Sequence, residues 1–277
     1  MSHHSFTSAD LNRFREKDIS LEAIEVQLEN FRKGFPHVSL VAPAIQGDGI
    51  IRLSEDEAIA YAGKYKSIQH NLQIIKLIPA SGAASRMFKN LFQYLNEQGG
   101  NSEGEKTDPA VNEFIGGLDN LALTENLEEL LRHAGKDLKT MVAGGEFHEI
   151  IAMVLGSEGL NYGQLSKGLI KFHKYPGECR TSVEEHLVEA AEYCLGQGGV
   201  VNLHFTVSAE HLDLFIDHIN QKQPLFEERF GLRYNIEFSF QRSFTDTIAV
   251  DPDNLPFRDA EGSILFRPGG HGALLAN

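Results

Sequence analysis

The sequence predicts an α/β protein, a mostly parallel sheet flanked by helices, with a helical N-terminal region and a helical insertion. Three observations carry this. Residues 201–207 and 234–240 alternate apolar and polar side chains, the period of a strand with one buried face. Residues 73–78 form a third strand-like apolar run that ends at Pro79. Between these runs the apolar residues return at helical spacing, and strands taking turns with helices pair in parallel through crossovers.

Taken in order, Ser20 is the expected N-cap of a helix carrying Leu21, Ile24, Leu28 and Phe31, closed by Gly34. Asp48-Gly49 suits a small hairpin. Ser54 and Glu57 form a capping box before a helix near 55–66. Residues 1–70 therefore read as a helical N-terminal region, and 71–277 as the α/β domain. After the strand at 73–78, Met87, Phe88, Leu91, Phe92 and Leu95 mark a helix that starts near Arg86 and ends at Gly99-Gly100. The insertion spans about 101–166, polar at first, then helical from 109 to 156. Gly168–Phe172 suits a short strand, and Thr181 with Glu184 forms a second capping box. Val201, Leu203, Phe205 and Val207 share one strand face, opposite Asn202, His204 and Thr206, so His204 reads as a hydrogen-bonded structural histidine. Ser208 is the expected cap of a helix carrying Leu212, Phe215, Ile216 and Ile219.

Composition narrows the function. The 39 acidic residues against 25 Lys+Arg give a net charge of -14, which argues against nucleic-acid and anionic-membrane partners but leaves room for a local anion site. Two cysteines without a CxxC pair, no apolar leader and no run of membrane-spanning length point to a cytoplasmic protein. The oligomeric state is not legible.

One stretch concentrates the chemistry: KLIPASGAASRMFK, residues 76–89. A loop of small residues, Ser81, Gly82, Ala83, Ala84 and Ser85, sits between a strand and a helix, where backbone N–H groups and the helix dipole favour phosphate. Arg86 adds a planar fork of donors and Lys89 a second charge. A tight connection that needs small residues for packing explains the pattern equally well. Neither GxxxxGK[ST] nor GxGxxG is present, and no GxSxG elbow supports Ser81 or Ser85 as a nucleophile.

Gly82–Met87 resembles the G-x-G-T-R-M signature of sugar nucleotidyltransferases, departing at Ala84 and Ser85. Lys167-Gly-Leu-Ile-Lys-Phe with Thr181-x-x-Glu-Glu-His186 resembles their P-K-x-L-x-P-V … L-x-E-H pattern, with Ser166 in place of the proline. Phe240-Gln241 and the final Arg267-Pro-Gly-Gly-His-Gly-Ala-Leu274 resemble the F-x-Q and P-x-G-x-G elements of UDP-sugar pyrophosphorylases. A closer resemblance, over nearly the whole chain, is to a bacterial family described as domain of unknown function 4301, through PASGAASRMFK, the KGLIKFHKY segment and FRPGGHGAL. Members of that family are longer, so the chain is expected to be an N-terminal portion.

The resemblance implies a Rossmann-like nucleotidyltransferase fold and attack of a sugar 1-phosphate on a nucleoside triphosphate, releasing pyrophosphate. It implies that residues 81–85 hold phosphates, that Arg86 steadies the leaving pyrophosphate and that Lys167 bridges the α-phosphate and the sugar phosphate. Gln241 with Gly269, Gly270 and His271 would meet base and ribose. Mg2+ is expected, with Asp246 and Asp251 as candidate ligands, although both also suit turns near Pro252. Binding of a nucleotide or phosphometabolite without turnover, or a scaffold role as part of a longer protein, are the alternatives. Lys167, Lys171, Lys174 and Arg180 can equally form a solvated basic patch. His148-Glu149 lacks the second histidine of a zinc motif.

Overall fold

In the computed structural model, residues 6–35, 37–82, 84, 86–97 and 109–269 are described. The protein mixes helix and strand, includes a parallel sheet and divides into two compact units: Met1–Ser67 with Phe240–Asn277, and Ile68–Ser239. The first break in the chain between the units falls between Ser67 and Ile68. Residues 240–277 group with the N-terminal region rather than with the sheet, which differs from the expected assignment.

The first unit opens with α1, Ser8–Glu16, whose capping box pairs Thr7 with Asp10. Helix α2, Leu21–Lys33, begins at the Ser20 cap and ends at Gly34, where φ is 72°. The tight turn at 45–50 contains two-residue strands, β1 at Ile45–Gln46 and β2 at Gly49–Ile50. Helix α3, Glu55–Ile68, starts at the expected Ser54–Glu57 box, with the Glu57 carboxylate accepting the Ser54 N–H at 2.8 Å.

The second unit runs from β3, Ile75–Pro79, to α4, Lys89–Glu97. Four helices follow: α5 Pro109–Gly117, α6 Thr124–His133, α7 Leu138–Ala143 and α8 Phe147–Leu155. With α4 they enclose one core, centred on Leu127, Leu131, Ile150 and Ile151. The expected strand at 168–172 is a 3-10 turn at Lys167–Leu169 followed by β4, Lys171–Tyr175. Gly168 is pinned there by packing, because a Cβ would stand 2.8 Å from the Phe215 ring. Strand β5, Glu178–Thr181, pairs antiparallel with β4 around Gly177, whose φ of 83° glycine tolerates without strain. Helix α9, Ser182–Tyr193, starts at the expected Thr181–Glu184 box, with both reciprocal bonds present.

Strand β6, Val200–Val207, then leads through α10, Leu212–Phe230, to β7, Arg233–Phe240. The sheet order is β3-β6-β7. β3 and β6 are parallel, in register from Ile75 opposite Asn202 to Pro79 opposite Thr206. Asn235 bonds Asn202 and Ser239 bonds Thr206, both at 3.1 Å, so β7 runs the same way as β6. One sheet face is buried under α9 and α10: Leu203 and Phe205 pack with Leu187, Phe215 and Ile219. Each such side chain contributes roughly 1.5–3 kcal/mol on leaving water.

The chain then returns to the first unit with β8, Thr247–Ile248, and β9, Phe266–Arg267, an antiparallel pair. The reason is a set of pairings with α1 and α2. Arg258 grips the Asp10 carboxylate through two bonds of 2.9 and 2.8 Å. Gln27 accepts the Ile248 N–H at 2.8 Å, and Phe14 meets Phe266 edge-on with ring centres 6.0 Å apart.

Candidate functional site

The loop after β3 lies at the carboxyl end of the parallel sheet, where ligands of open α/β folds bind. Its first amide continues the sheet, the Ala80 N–H reaching the Thr206 carbonyl at 2.7 Å. A second segment, 164–168, docks against the loop. The Lys167 N–H donates to the Gly82 carbonyl at 3.0 Å, and the Ala84 N–H donates to the Leu165 carbonyl at 3.2 Å. Ser166 is fully buried, its hydroxyl donating to the Ala80 carbonyl at 2.9 Å while receiving the Gly168 N–H at 3.4 Å.

The end of β6 joins them through His211. Its Nε2–H donates to the Gln164 carbonyl at 2.8 Å, and Nδ1 accepts the Ser208 hydroxyl at 2.6 Å. The carbonyl can only accept, which fixes the neutral tautomer. Ser208 was expected to cap a helix by its side chain; its hydroxyl instead goes to His211, which itself holds the N-cap position of α10. Loops from β3 and β6 and the 164–168 segment are thereby tied together by two buried side chains, Ser166 and His211.

The expected site residues divide accordingly. Gly82 and Lys167 are brought into direct backbone contact, with the Lys167 side chain exposed. Ser81 is half-buried in the same loop. Ala84 is buried in the helical core and its N–H is already used, so that amide is withdrawn from any phosphate cradle. Helix α4 starts at Lys89 rather than at Arg86, and residues 86–88 form a turn. Arg86, Met87 and Lys89 line an open depression of about 430 Å³ with Glu113 and Phe114 of α5, whereas Gly82 and Lys167 do not line it. Gln241 donates its side-chain amide to the Gly269 carbonyl, in the other unit. Ala83, Ser85, Gly270 and His271 lie outside the described residues.

The expected metal ligands do not form a donor set. Asp246 pairs with Lys17 at 2.7 Å. Asp251 accepts the Asp253 and Leu255 N–H groups at 2.9 Å each and closes its own turn. Among the described residues no group of three His, Cys, Asp or Glu side chains is placed to hold a cation. Asp246 and Asp251 thus each already have partners of their own.

The basic residues of 171–180 are not a loose patch. Lys171 donates to Asn126 at 2.5 Å and Lys174 to the Asp119 carbonyl at 2.8 Å. Arg180 is stacked 4.4 Å from the Tyr175 ring centre and bonded to Glu178 and Glu185. Behind them, buried Glu184 faces Lys222 at 2.9 Å and His218 at 3.4 Å. Burial lowers the His218 pKa, with Glu184 opposing and Lys222 and Lys171 assisting.

A family model described as Domain of unknown function (DUF4301) matches residues 7–277. The chain belongs to the DUF4301 family. No curated protein and no solved structure matches it. In this chain the segments PASGAASRMFK and KGLIKFHKY contain Ala80 and Gly168, the two backbone groups that the Ser166 hydroxyl bonds. Among the described residues of this DUF4301 chain, no helix is long and apolar enough to cross a membrane.

Proposed function

We propose that this DUF4301 protein is nucleotidyltransferase-like and receives a nucleoside triphosphate at the carboxyl end of its parallel sheet. The second reactant is a sugar 1-phosphate or another phosphorylated metabolite. The observation that carries the reading is the hydrogen bond from the Lys167 N–H to the Gly82 carbonyl. Two motifs that are distant in sequence, and that resemble successive elements of one superfamily, meet at the strand ends where anionic ligands bind.

In this reading the sugar phosphate oxygen attacks the α-phosphorus and the bond to pyrophosphate breaks. Lys167 bridges the two phosphates, and Arg86 meets charge growing on the leaving group. Such transfers depend on positioning and charge neutralisation. No step is assigned to Mg2+, since Asp246 and Asp251 are engaged elsewhere. That engagement, with the loss of the Ala84 amide, favours a second reading in which the site binds a nucleotide or phosphometabolite without turnover. Cys179 and Cys194 are free thiols, which supports a cytoplasmic setting, and the net charge of -14 supports small anionic partners over nucleic acid.

The test is calorimetry with each nucleoside triphosphate, with and without Mg2+, alongside pyrophosphate release with a panel of sugar 1-phosphates. Binding lost in Arg86→Ala and Lys167→Ala, with release, supports transfer. Binding without release supports the second reading. Folded protein with no affinity for any nucleotide removes both.

A further inference from the structure

The sheet has a second face. Opposite the core under α9 and α10, within its own unit, it carries Ile75 and Leu77 from β3, His204 and Thr206 from β6, and Glu237 and Ser239 from β7. Ile75 and Leu77 are 61% and 73% exposed, an apolar strip that packing within the fold does not use. Beside it runs a chain of polar contacts. Ser239 Oγ lies 2.8 Å from His204 Nε2 and 3.1 Å from Thr206 Oγ1. His204 Nδ1 lies 3.6 Å from Glu237 Oε2.

The chemistry of the partners sets the protons. A carboxylate only accepts, so the ring proton belongs on Nδ1, facing Glu237. Nε2 then accepts the Ser239 O–H, and the Thr206 O–H donates to Ser239 Oγ. A serine is thereby bonded to a neutral base that faces a carboxylate, the arrangement that activates a hydroxyl nucleophile. Distances to the orienting acid are often long before substrate arrives.

The geometry points to a serine-based acyl-transfer site on this face, with Ser239 as nucleophile, His204 as base, Glu237 as its partner and carboxylic esters as substrates. Ser239 Oγ bonds to the carbonyl carbon as its proton passes to His204 Nε2. The Thr206 hydroxyl donates to the developing oxyanion. Collapse breaks the bond to the leaving alcohol, which takes the proton from His204. Water, deprotonated by the same nitrogen, releases the acid and restores Ser239. The acyl chain is apolar and of medium length. From β7 it crosses β6 to reach Leu77, two strand spacings or roughly 10 Å. The site is independent of the nucleotide reading: the two share only Thr206, whose backbone carbonyl anchors the β3 loop while its hydroxyl serves this face.

The test uses the full chain with a fluorophosphonate probe and with p-nitrophenyl acetate and decanoate. We expect one probe adduct, mapped to Ser239, and faster hydrolysis of decanoate than of acetate. Thr206→Val should lower kcat by about 10²-fold. Leu77→Asn should raise KM for decanoate more than for acetate. Glu237→Gln, at an exposed side chain, should slow both esters and probe labelling by about tenfold or more without unfolding the protein. Ser239→Ala should abolish labelling. Folded wild type without an adduct, an adduct at another serine, or labelling unchanged in Glu237→Gln overturns the proposal.

Discussion

Asp10 gives the sharpest test of how the first unit is held together. Its carboxylate is buried, accepts two guanidinium bonds from Arg258 and closes the α1 capping box with Thr7. The Arg258 bonds, more than any other influence, pull its pKa down from 3.8 to about 2. At about 1.36 kcal/mol per pKa unit, that depression corresponds to about 2 kcal/mol of stability. Arg258 is partly exposed, so solvent screening trims the figure rather than enlarging it. The folded pKa is the lower one, so the contribution is complete above about pH 4 and fades as pH falls through about 2. Asp10→Asn preserves the shape and an acceptor for the Thr7 cap while removing the charge. Urea denaturation of both proteins, followed by circular dichroism from pH 7 to pH 2, should show wild type ahead by about 2 kcal/mol at neutrality, with the gap closing in acid. A gap that does not change with pH would refute the reasoning, because packing alone, not ionisation, would then be responsible.

Tyr234 makes the mirror-image prediction. Burial pushes its pKa to about 12, so wild type should lose stability relative to Tyr234→Phe as pH rises from about 10 to 12, measured by the same denaturation curves. Below pH 10 the order should reverse by about 1 kcal/mol, because the variant leaves the buried Leu187 carbonyl without the tyrosine hydroxyl that now bonds it at 2.9 Å. Phe205→Ala should cost about 3–5 kcal/mol by opening a cavity in the middle of the sheet core, read from the denaturation midpoint. Ser166→Ala should cost about 1–3 kcal/mol and raise amide hydrogen exchange at Ala84 and Lys167, because the Ala80 carbonyl loses its buried donor. Unchanged exchange there would mean that the backbone bonds alone hold the loop.

Much of the second unit is legible locally. The alternation of Val201–Val207 fixes a strand and its buried face, and Thr181-x-x-Glu184 fixes a helix start, because both signals lie within a few residues. The α1 helix is harder to read, since its capping acid is Asp10 at the third position rather than the usual Glu or Gln. The grouping of 240–277 with the N-terminal region is not legible at all. It rests on Asp10 meeting Arg258 and on Gln27 meeting Ile248, and neither pair has any neighbour in sequence to announce it. The same limit applies to the candidate site. A small-residue loop and a lysine segment can each be noticed, but only the bond between Gly82 and Lys167 joins them. Lys171 and Lys174 read as a patch because their acceptors, Asn126 and the Asp119 carbonyl, belong to the helical insertion.

The alternation in β6 carries one more step. A parallel strand covered on both faces tends towards an unbroken apolar run, because helices seal each side. Strand β6 is the middle of a three-stranded parallel sheet, yet every second residue is polar: Asn202, His204 and Thr206. Packing in its own unit explains Val201, Leu203 and Phe205, and it explains nothing on the other side. The polar side chains there are not idle, since each bonds across to β7 through Asn235 or Ser239. A stability role alone would favour Val or Ile at those positions, which pair well across strands at lower desolvation cost. Replacing Asn202 and Asn235 together by Val should therefore leave the fold intact or firmer. Replacing His204 by Val should also leave the fold intact while abolishing probe labelling at Ser239. If His204→Val unfolds the sheet, the polar column is structural and the assignment of chemistry to it loses its premise.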